Sequence, residues 1–129
     1  MGVTKRILKF KTFNCRYNFY IFSNFNYSFR FIKNALIKIN FFDTNTEKLI
    51  YSKLPIVSKV NFWGNEVYFI TDLKIKLEDN ARQIVKKGEL AYWPQGNAVA
   101  IGYGPTPISK GNEIRLASDC NIWGVTNFN

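Results

Sequence analysis

The chain has 129 residues, of which 47% are hydrophobic, and its formal net charge is +9. This length fits one domain that buries about two thirds of its unfolded surface around a single core. An aromatic content of 17% favours strands over helices, and the absence of histidine excludes Ser-His-Asp and Cys-His catalytic sites.

The positive charge is concentrated near the N-terminus. Residues 1–33 hold seven basic residues and no acidic residue, which leaves eleven basic and nine acidic residues in the rest of the chain. A nearly neutral main domain is a poor electrostatic match for nucleic acid, so we do not expect nucleic acid to bind there. The basic segment keeps nucleic-acid binding open as a function of the N-terminus.

Cysteine usage and hydropathy restrict the chemistry and the location. Cys15 and Cys120 are too few to form a disulfide framework, and without histidine a zinc site is disfavoured, so we expect no metal and no cofactor. The early uncharged stretch over residues 17–29 contains polar residues and is shorter than the ~20 apolar residues of a membrane helix. Free thiols and the lack of a convincing signal peptide predict a cytoplasmic protein with no membrane partner.

The N-terminal third is predicted to be mainly strand. Residues 1–12 mix basic and scattered apolar residues, and we predict a flexible tail there. From Phe13 to Phe31 the odd positions are apolar except Ser23, which predicts two strands separated by a turn at Ser23–Asn24. Residues 35–41 alternate in the same way and predict the next strand.

One main helix is predicted after these strands. Thr44 and Glu47 have the spacing of a capping box, which predicts a helix over about Thr44–Lys53. Beyond it, Gly64 interrupts an aromatic run and predicts a bulge or tight turn between two strands. Residues 73–77 alternate apolar residues with lysine and predict a half-exposed strand, and residues 79–85 predict a short helical turn.

A β-hairpin over residues 89–103 is the most strongly predicted element. Pro94-Gln95-Gly96 predicts a type I turn that starts at Trp93, between a strand at 89–93 and a strand at 97–103. On the second strand, alanine and glycine at positions 98, 100 and 102 form a small face that lets another element approach closely. The following Gly104-Pro105-Thr106-Pro107 predicts a rigid turn.

Three blocks of sequence carry a resemblance to a known family. They are GELAYWPQGNAVAIGYGPTPIS from Gly88, VNFWGNEVYF from Val60 and EIRLASDCNIWG from Glu113. In order and spacing, these blocks closely resemble small prokaryotic cyclophilin-like proteins, and the resemblance covers about Asn26–Val125.

The resemblance implies a mainly β fold, a closed antiparallel β-barrel. It implies no established activity, because the members share the cyclophilin architecture without the usual active-site motifs of the isomerase. It also implies a domain boundary, with residues 1–25 as a basic aromatic extension and residues 26–129 as the barrel domain. The extension is an extra edge strand, an arm for a partner, or upstream sequence, and we expect it to be dispensable for folding.

Aromatic side chains near the rigid turns form the candidate ligand pocket. Tyrosine and tryptophan combine an apolar ring with a polar group, as ligand pockets require. Desolvation by neighbouring rings would raise the pKa of Glu66 and suit a catalytic acid or an anchor for a ligand amine, but the sequence favours a solvated surface carboxylate at this position. The candidates are Trp63, Glu66, Tyr68, Tyr92, Trp93, Gln95, Tyr103 and Thr106.

The sequence is compatible with three functions. The first is a binding module whose aromatic pocket holds a small molecule or a peptide. The second is an enzyme, either a prolyl isomerase or a subunit related to 5-oxoproline amide-hydrolysing complexes, in which larger cyclophilin-like domains occur; Arg82 and Arg115 do not match the isomerase arginine. The third is nucleic-acid binding through the N-terminal extension, because cations pair with phosphates and rings stack on bases.

Overall fold

The computed structural model describes residues 5–13, 16–22, 34–54 and 56–126. These residues form ten strands and one helix, which confirms the predicted mainly β class with one main helix. None of the described helical residues forms a helix long and apolar enough to cross a membrane. The elements are β1 Lys5–Phe13, β2 Arg16–Phe22, β3 Asn34–Phe41, α1 Asn45–Ser52, β4 Ile56–Lys59, β5 Asn61–Trp63, β6 Glu66–Ile70, β7 Arg82–Val85, β8 Glu89–Trp93, β9 Ala98–Gly102 and β10 Ile114–Thr126.

The strands form one antiparallel sheet whose two edges meet at Val60. The order is β4-β2-β1-β3-β10-β8-β9-β6-β5, and β7 pairs with β10 beside this path. Only Val60 separates the edge strands β4 and β5 along the chain. The Ser58 hydroxyl of β4 also donates to the Ile70 carbonyl of β6 at 2.6 Å. No backbone ladder joins β4 to β5 or β6 in the described part of the chain, so closure of the barrel by hydrogen bonds stays a prediction.

The N-terminal extension contributes two strands to this sheet. β1 lies between β2 and β3, with seven register pairs on each side. Residues 5–12 are therefore strand, and the prediction of a flexible tail is wrong for them. The turn at Ser23–Asn24 and the strand after it lie outside the described residues. The boundary between residues 25 and 26 stays a prediction, which thermal unfolding of a protein lacking residues 1–25 tests.

The helix begins as its local sequence predicts. The Thr44 side chain accepts a hydrogen bond from the Glu47 amide at 3.1 Å, and α1 begins at the next residue, Asn45. The prediction for residues 73–77 is wrong, because that segment is not a strand although Leu73 and Ile75 are buried. The helical-turn prediction for residues 79–85 is partly wrong, since a turn ends near Ala81 and β7 follows it.

The hairpin of β8 and β9 separates two apolar clusters, as its alternation predicts. Leu90, Tyr92, Val99 and Ile101 lie in the main core with the fully buried Trp123. The alanines of the opposite face lie in a second cluster, which β10 covers. A Cβ atom added at Gly102 would lie 2.4 Å from Cγ2 of Ile114, so this close approach requires glycine. The second cluster contains Val85, Ala91, Ala100, Ile114, Leu116, Cys120 and Ile122.

Candidate functional site

A cavity of about 190 Å³ lies on the second apolar face, between strands β5, β6, β8 and β9 and the middle of β10. The structure brings four of the predicted site residues together there: Trp63, Glu66, Tyr68 and Trp93. The remaining lining residues are small or apolar and come from β9 and β10. They are Ala98, Ala100, Leu116, Ala117 and Cys120.

The hairpin of β5 and β6 positions Trp63 and Glu66. These two residues are register partners on either side of the Gly64-Asn65 turn. Gly64 has a φ of +59°, a left-handed conformation that glycine adopts without strain. The Asn65 amide donates to the Pro105 carbonyl at 3.1 Å, so the rigid proline turn holds the hairpin turn in place.

Glu66 is a buried carboxyl group without a partner in the described structure. It is 6% exposed, and it makes no hydrogen bond or ion pair with the residues that the structure describes. Burial away from water disfavours the charged form and raises the pKa of Glu66 to about 7. The group therefore exchanges its proton near neutral pH and is able to act as a hydrogen-bond donor or as an anion.

Cys120 lines the cavity from β10, but its thiol is not an activated nucleophile. Burial, with smaller contributions from the charges of Glu66 and Asp119, raises its pKa to about 12. The thiol contacts the Ser118 carbonyl at 3.3 Å. Because the thiolate is the reactive form, this cysteine is protonated and unreactive at neutral pH.

The Trp93 ring is fixed in position at the other end of the cavity. Its Nε1 donates to the Ser118 hydroxyl at 2.8 Å. A Cβ atom added at Gly96 would lie 2.2 Å from the six-membered ring of the indole, so the turn glycine packs directly on it. Gln95 is exposed, its side-chain oxygen accepts from the Ser118 hydroxyl at 3.5 Å, and it does not line the cavity.

Three predicted site residues lie elsewhere. Tyr92 is fully buried in the main core, where its hydroxyl donates to the Leu73 carbonyl at 2.8 Å and accepts from the Ile75 amide at 3.2 Å. Tyr103 packs against the same core, and burial raises its pKa to about 12. The buried hydroxyl of Thr106 donates to a backbone carbonyl of β10. These contacts give all three residues a place in the fold rather than in the cavity.

Both arginines that bear on isomerase chemistry are engaged in ion pairs. Arg82 binds the two carboxylate oxygens of Glu89, each at 2.6 Å. Arg115 binds Glu113 at 2.6 and 3.2 Å. Neither arginine lines the cavity.

The residues that β10 contributes to the cavity lining were not among the predicted site residues. Ala98 and Ala100 carried a signal, because their alternation predicted a small face, whereas Leu116, Ala117 and Cys120 carried none. These three residues are distant in sequence from β6 and reach the cavity only because β10 folds across it.

The family model described as Cyclophilin-like matches residues 28–127 of this chain, a range that contains every residue lining the cavity. The chain is also similar to a hypothetical protein from Archaeoglobus fulgidus whose solution structure is known. The TM-score is 0.66 and the sequence identity is 27%, over 98% of this chain and 82% of the archaeal chain. That alignment extends into residues 1–27, which the family model does not match.

Proposed function

This chain belongs to the Cyclophilin-like family, and we propose that it is a binding module for a small organic molecule held in the cavity beside Glu66. The observation that carries the proposal is a carboxyl group only 6% exposed, without a described partner, that faces an apolar cavity. An unpaired buried carboxyl group costs folding free energy, so its presence is best explained by a ligand that pairs with it.

The cavity has the composition of a ligand site. Most of its lining is apolar, and a few polar groups are available to orient a ligand. The half-buried rings of Trp63, Tyr68 and Trp93 offer flat surfaces for an apolar body. An apolar cavity of about 150 Å³ accommodates benzene, so about 190 Å³ suits a single ring with a short substituent.

Titration of the full chain with benzyl alcohol and with benzylamine, followed by tryptophan fluorescence, tests the proposal. Trp63 and Trp93 line the cavity, so a bound ring is expected to change their emission. Ala117 lines the exposed rim, and Ala117→Phe fills the cavity and should abolish saturable binding. The control, Asn112→Phe, adds the same ring at an exposed position outside the cavity and should preserve it. No saturable change with either probe in the unsubstituted protein would contradict the proposal.

Enzymatic functions have less support. Glu66 has a pKa suited to a general acid or base, but the thiol beside it has a pKa of about 12 and offers no nucleophile. Prolyl isomerisation needs a donor directed at the proline nitrogen, and Arg82 and Arg115 are bound to carboxylates away from the cavity. We therefore rank catalysis, including a role related to 5-oxoproline hydrolysis, below ligand binding.

Binding of nucleic acid through the N-terminal strands is a second candidate, and the strand register supports it. Antiparallel register partners share a face of a sheet. One face carries six basic residues, at positions 5, 9 and 11 of β1, 16 of β2, 38 of β3 and 59 of β4, and it also carries apolar residues at positions 7, 13, 20, 22, 36 and 57. The opposite face includes the buried core residues Ile39, Phe41 and Ile56. One basic face without acidic residues suits a phosphate backbone.

Retention of single-stranded DNA at low and high salt tests this second candidate. The double substitution Lys9→Glu and Lys11→Glu should weaken binding at least about tenfold at low salt, because each contact releases counterions. The matched control, Lys74→Glu and Lys76→Glu, changes the net charge equally at two exposed lysines outside these strands and should have a much smaller effect. Equal losses in the two proteins would show that only net charge matters and would contradict the candidate.

A further inference from the structure

The register gives the cavity an elongated form with chemically different ends. Glu66 pairs with Gly102 at one end of β9, and Trp93 pairs with Ala98 at the other. These two β9 positions are four steps apart along the strand, which is about 13 Å when extended. Tyr68 lies between the ends on β6. A ligand along this cavity therefore meets a carboxyl group at one end and an indole at the other.

The polar end of the cavity is negative. Glu66 is the single charged residue among those that line the cavity in the described structure, and no lysine or arginine lines it. Asp119 is close enough to raise the pKa of the Cys120 thiol together with Glu66, so it adds to the negative potential. When Glu66 is ionised, a ligand group that pairs with this end must be a cation or a hydrogen-bond donor.

Two aromatic side chains flank the carboxyl group. Trp63 is the cross-strand register partner of Glu66, and Tyr68 is two positions along the same face of β6. Both line the cavity and both are half-buried. The faces of indole and phenol rings attract cations, most strongly where water is excluded. A carboxylate between two such rings favours an ammonium group over a neutral donor of the same size.

We propose that the cavity binds a small ammonium compound with a single-ring apolar body. The Glu66 carboxylate pairs with the ammonium group, the rings of Trp63 and Tyr68 flank it, and the apolar body lies over β9 toward Trp93. This inference rests on the proposed function, because it names the chemical class of the ligand for the same cavity. No bond is made or broken in binding.

Binding of such a cation is coupled to release of a proton. The pKa of Glu66 is about 7, so below neutral pH the free carboxyl group is protonated and must ionise before it pairs. The other titratable groups around it are the phenol of Tyr68, the Cys120 thiol, whose pKa of about 12 keeps it neutral, and the carboxyl group of Asp119. Affinity should therefore fall about tenfold for each pH unit below 7 and level off above it.

Calorimetric titration of the full chain with benzylamine and benzyl alcohol at pH 8 tests the inference. The two probes share the ring and the methylene group and differ in charge. Benzylamine should bind at least about tenfold more tightly, because only the ammonium group pairs with the carboxylate. Benzyltrimethylammonium, whose charge does not depend on pH, should show the loss of affinity below pH 7.

Two isosteric substitutions separate this inference from the proposed function. Glu66→Gln should remove the preference for benzylamine and its pH dependence while benzyl alcohol still binds. Glu113→Gln removes a carboxylate that lies outside the cavity, and it should leave the preference unchanged. If benzyl alcohol binds as well as benzylamine, or if the preference survives Glu66→Gln, the inference is overturned and the proposed function stands. If neither probe binds, both are overturned.

Discussion

Two carboxyl groups of the same sheet, Glu66 and Glu89, are each 6% exposed and yet have opposite electrostatic properties. Each is the first residue of its strand, β6 or β8. Desolvation alone raises the pKa of Glu66 to about 7. Desolvation also acts on Glu89, but hydrogen bonds from Arg82 and the Lys86 amide, with their charges, lower its pKa overall. The exposed fraction is equal, so the available partners decide which carboxyl group stabilises the fold, and Glu66 is the one without a partner among the described residues.

The largest effect expected from this comparison is on Glu89. Glu89→Gln leaves the guanidinium of Arg82 without its carboxylate and should lower the free energy of unfolding by about 3 kcal/mol at pH 7. The Arg82 side chain is 41% exposed and is rehydrated in part, which keeps the loss at the low end of the range for buried pairs. Urea unfolding measures it.

The pH dependence of the stability lost in Glu89→Gln shows whether the ion pair with Arg82 causes that loss. The lowered pKa of Glu89 contributes stability above the pKa of the unfolded chain, near 4.5, and that contribution is lost as pH falls through the folded value. The difference between Glu89→Gln and the unsubstituted protein should therefore shrink below about pH 4. A difference that persists unchanged there would show that packing, not the ion pair, causes the loss.

Glu66→Gln should raise the free energy of unfolding, whereas Glu89→Gln lowers it. Between about pH 4.5 and 7 the folded state binds more protons at Glu66 than the unfolded state, so stability falls as pH rises through this window. A shift of this size corresponds to about 3 kcal/mol, and burial of the amide offsets part of it. We expect the variant to be about 2 kcal/mol more stable than the unsubstituted protein at pH 8 and equal to it near pH 4.5. A loss of stability at pH 8 would mean that Glu66 has a partner in the fold.

Local sequence predicted the elements whose structure depends on neighbours in the chain. The capping residue Thr44 and the bounds of β8 are correct, because a capping box and a proline-glycine turn act over a few residues. Residues 73–77 do not form a strand, although apolar residues alternate with lysine in this segment. There the Tyr92 hydroxyl, distant in sequence, bonds the Leu73 carbonyl and the Ile75 amide, which local alternation does not reveal.

In the candidate site too, features that depend on neighbouring residues were predictable and features that depend on distant strands were not. Trp63, Glu66 and Trp93 were predictable as candidates because they occur where strands meet turns, and Tyr68 because it follows Glu66 by two residues on the same strand. Tyr92 and Trp93 are adjacent on one strand, so alternation already implied that they do not share a face, and they lie in different clusters. That Glu66 has no partner among the described residues depends on which distant strands surround it, which no local pattern encodes.

The smallest expected effect concerns prolyl isomerisation, for which we predict a rate within about twofold of the uncatalysed reaction. Uncatalysed X-Pro exchange crosses a barrier of about 20 kcal/mol and takes ~10–100 s, so even weak catalysis is measurable. No catalysis is expected because both arginines are bound to carboxylates and are not available to a substrate. Arg82 is paired with Glu89, and Arg115 is paired with Glu113. A protease-coupled assay with a proline-containing peptide measures the rate, and Arg115→Ala should leave it unchanged. Acceleration that Arg82→Ala or Arg115→Ala abolishes while the fold remains intact would show that one of these ion pairs opens to serve a substrate.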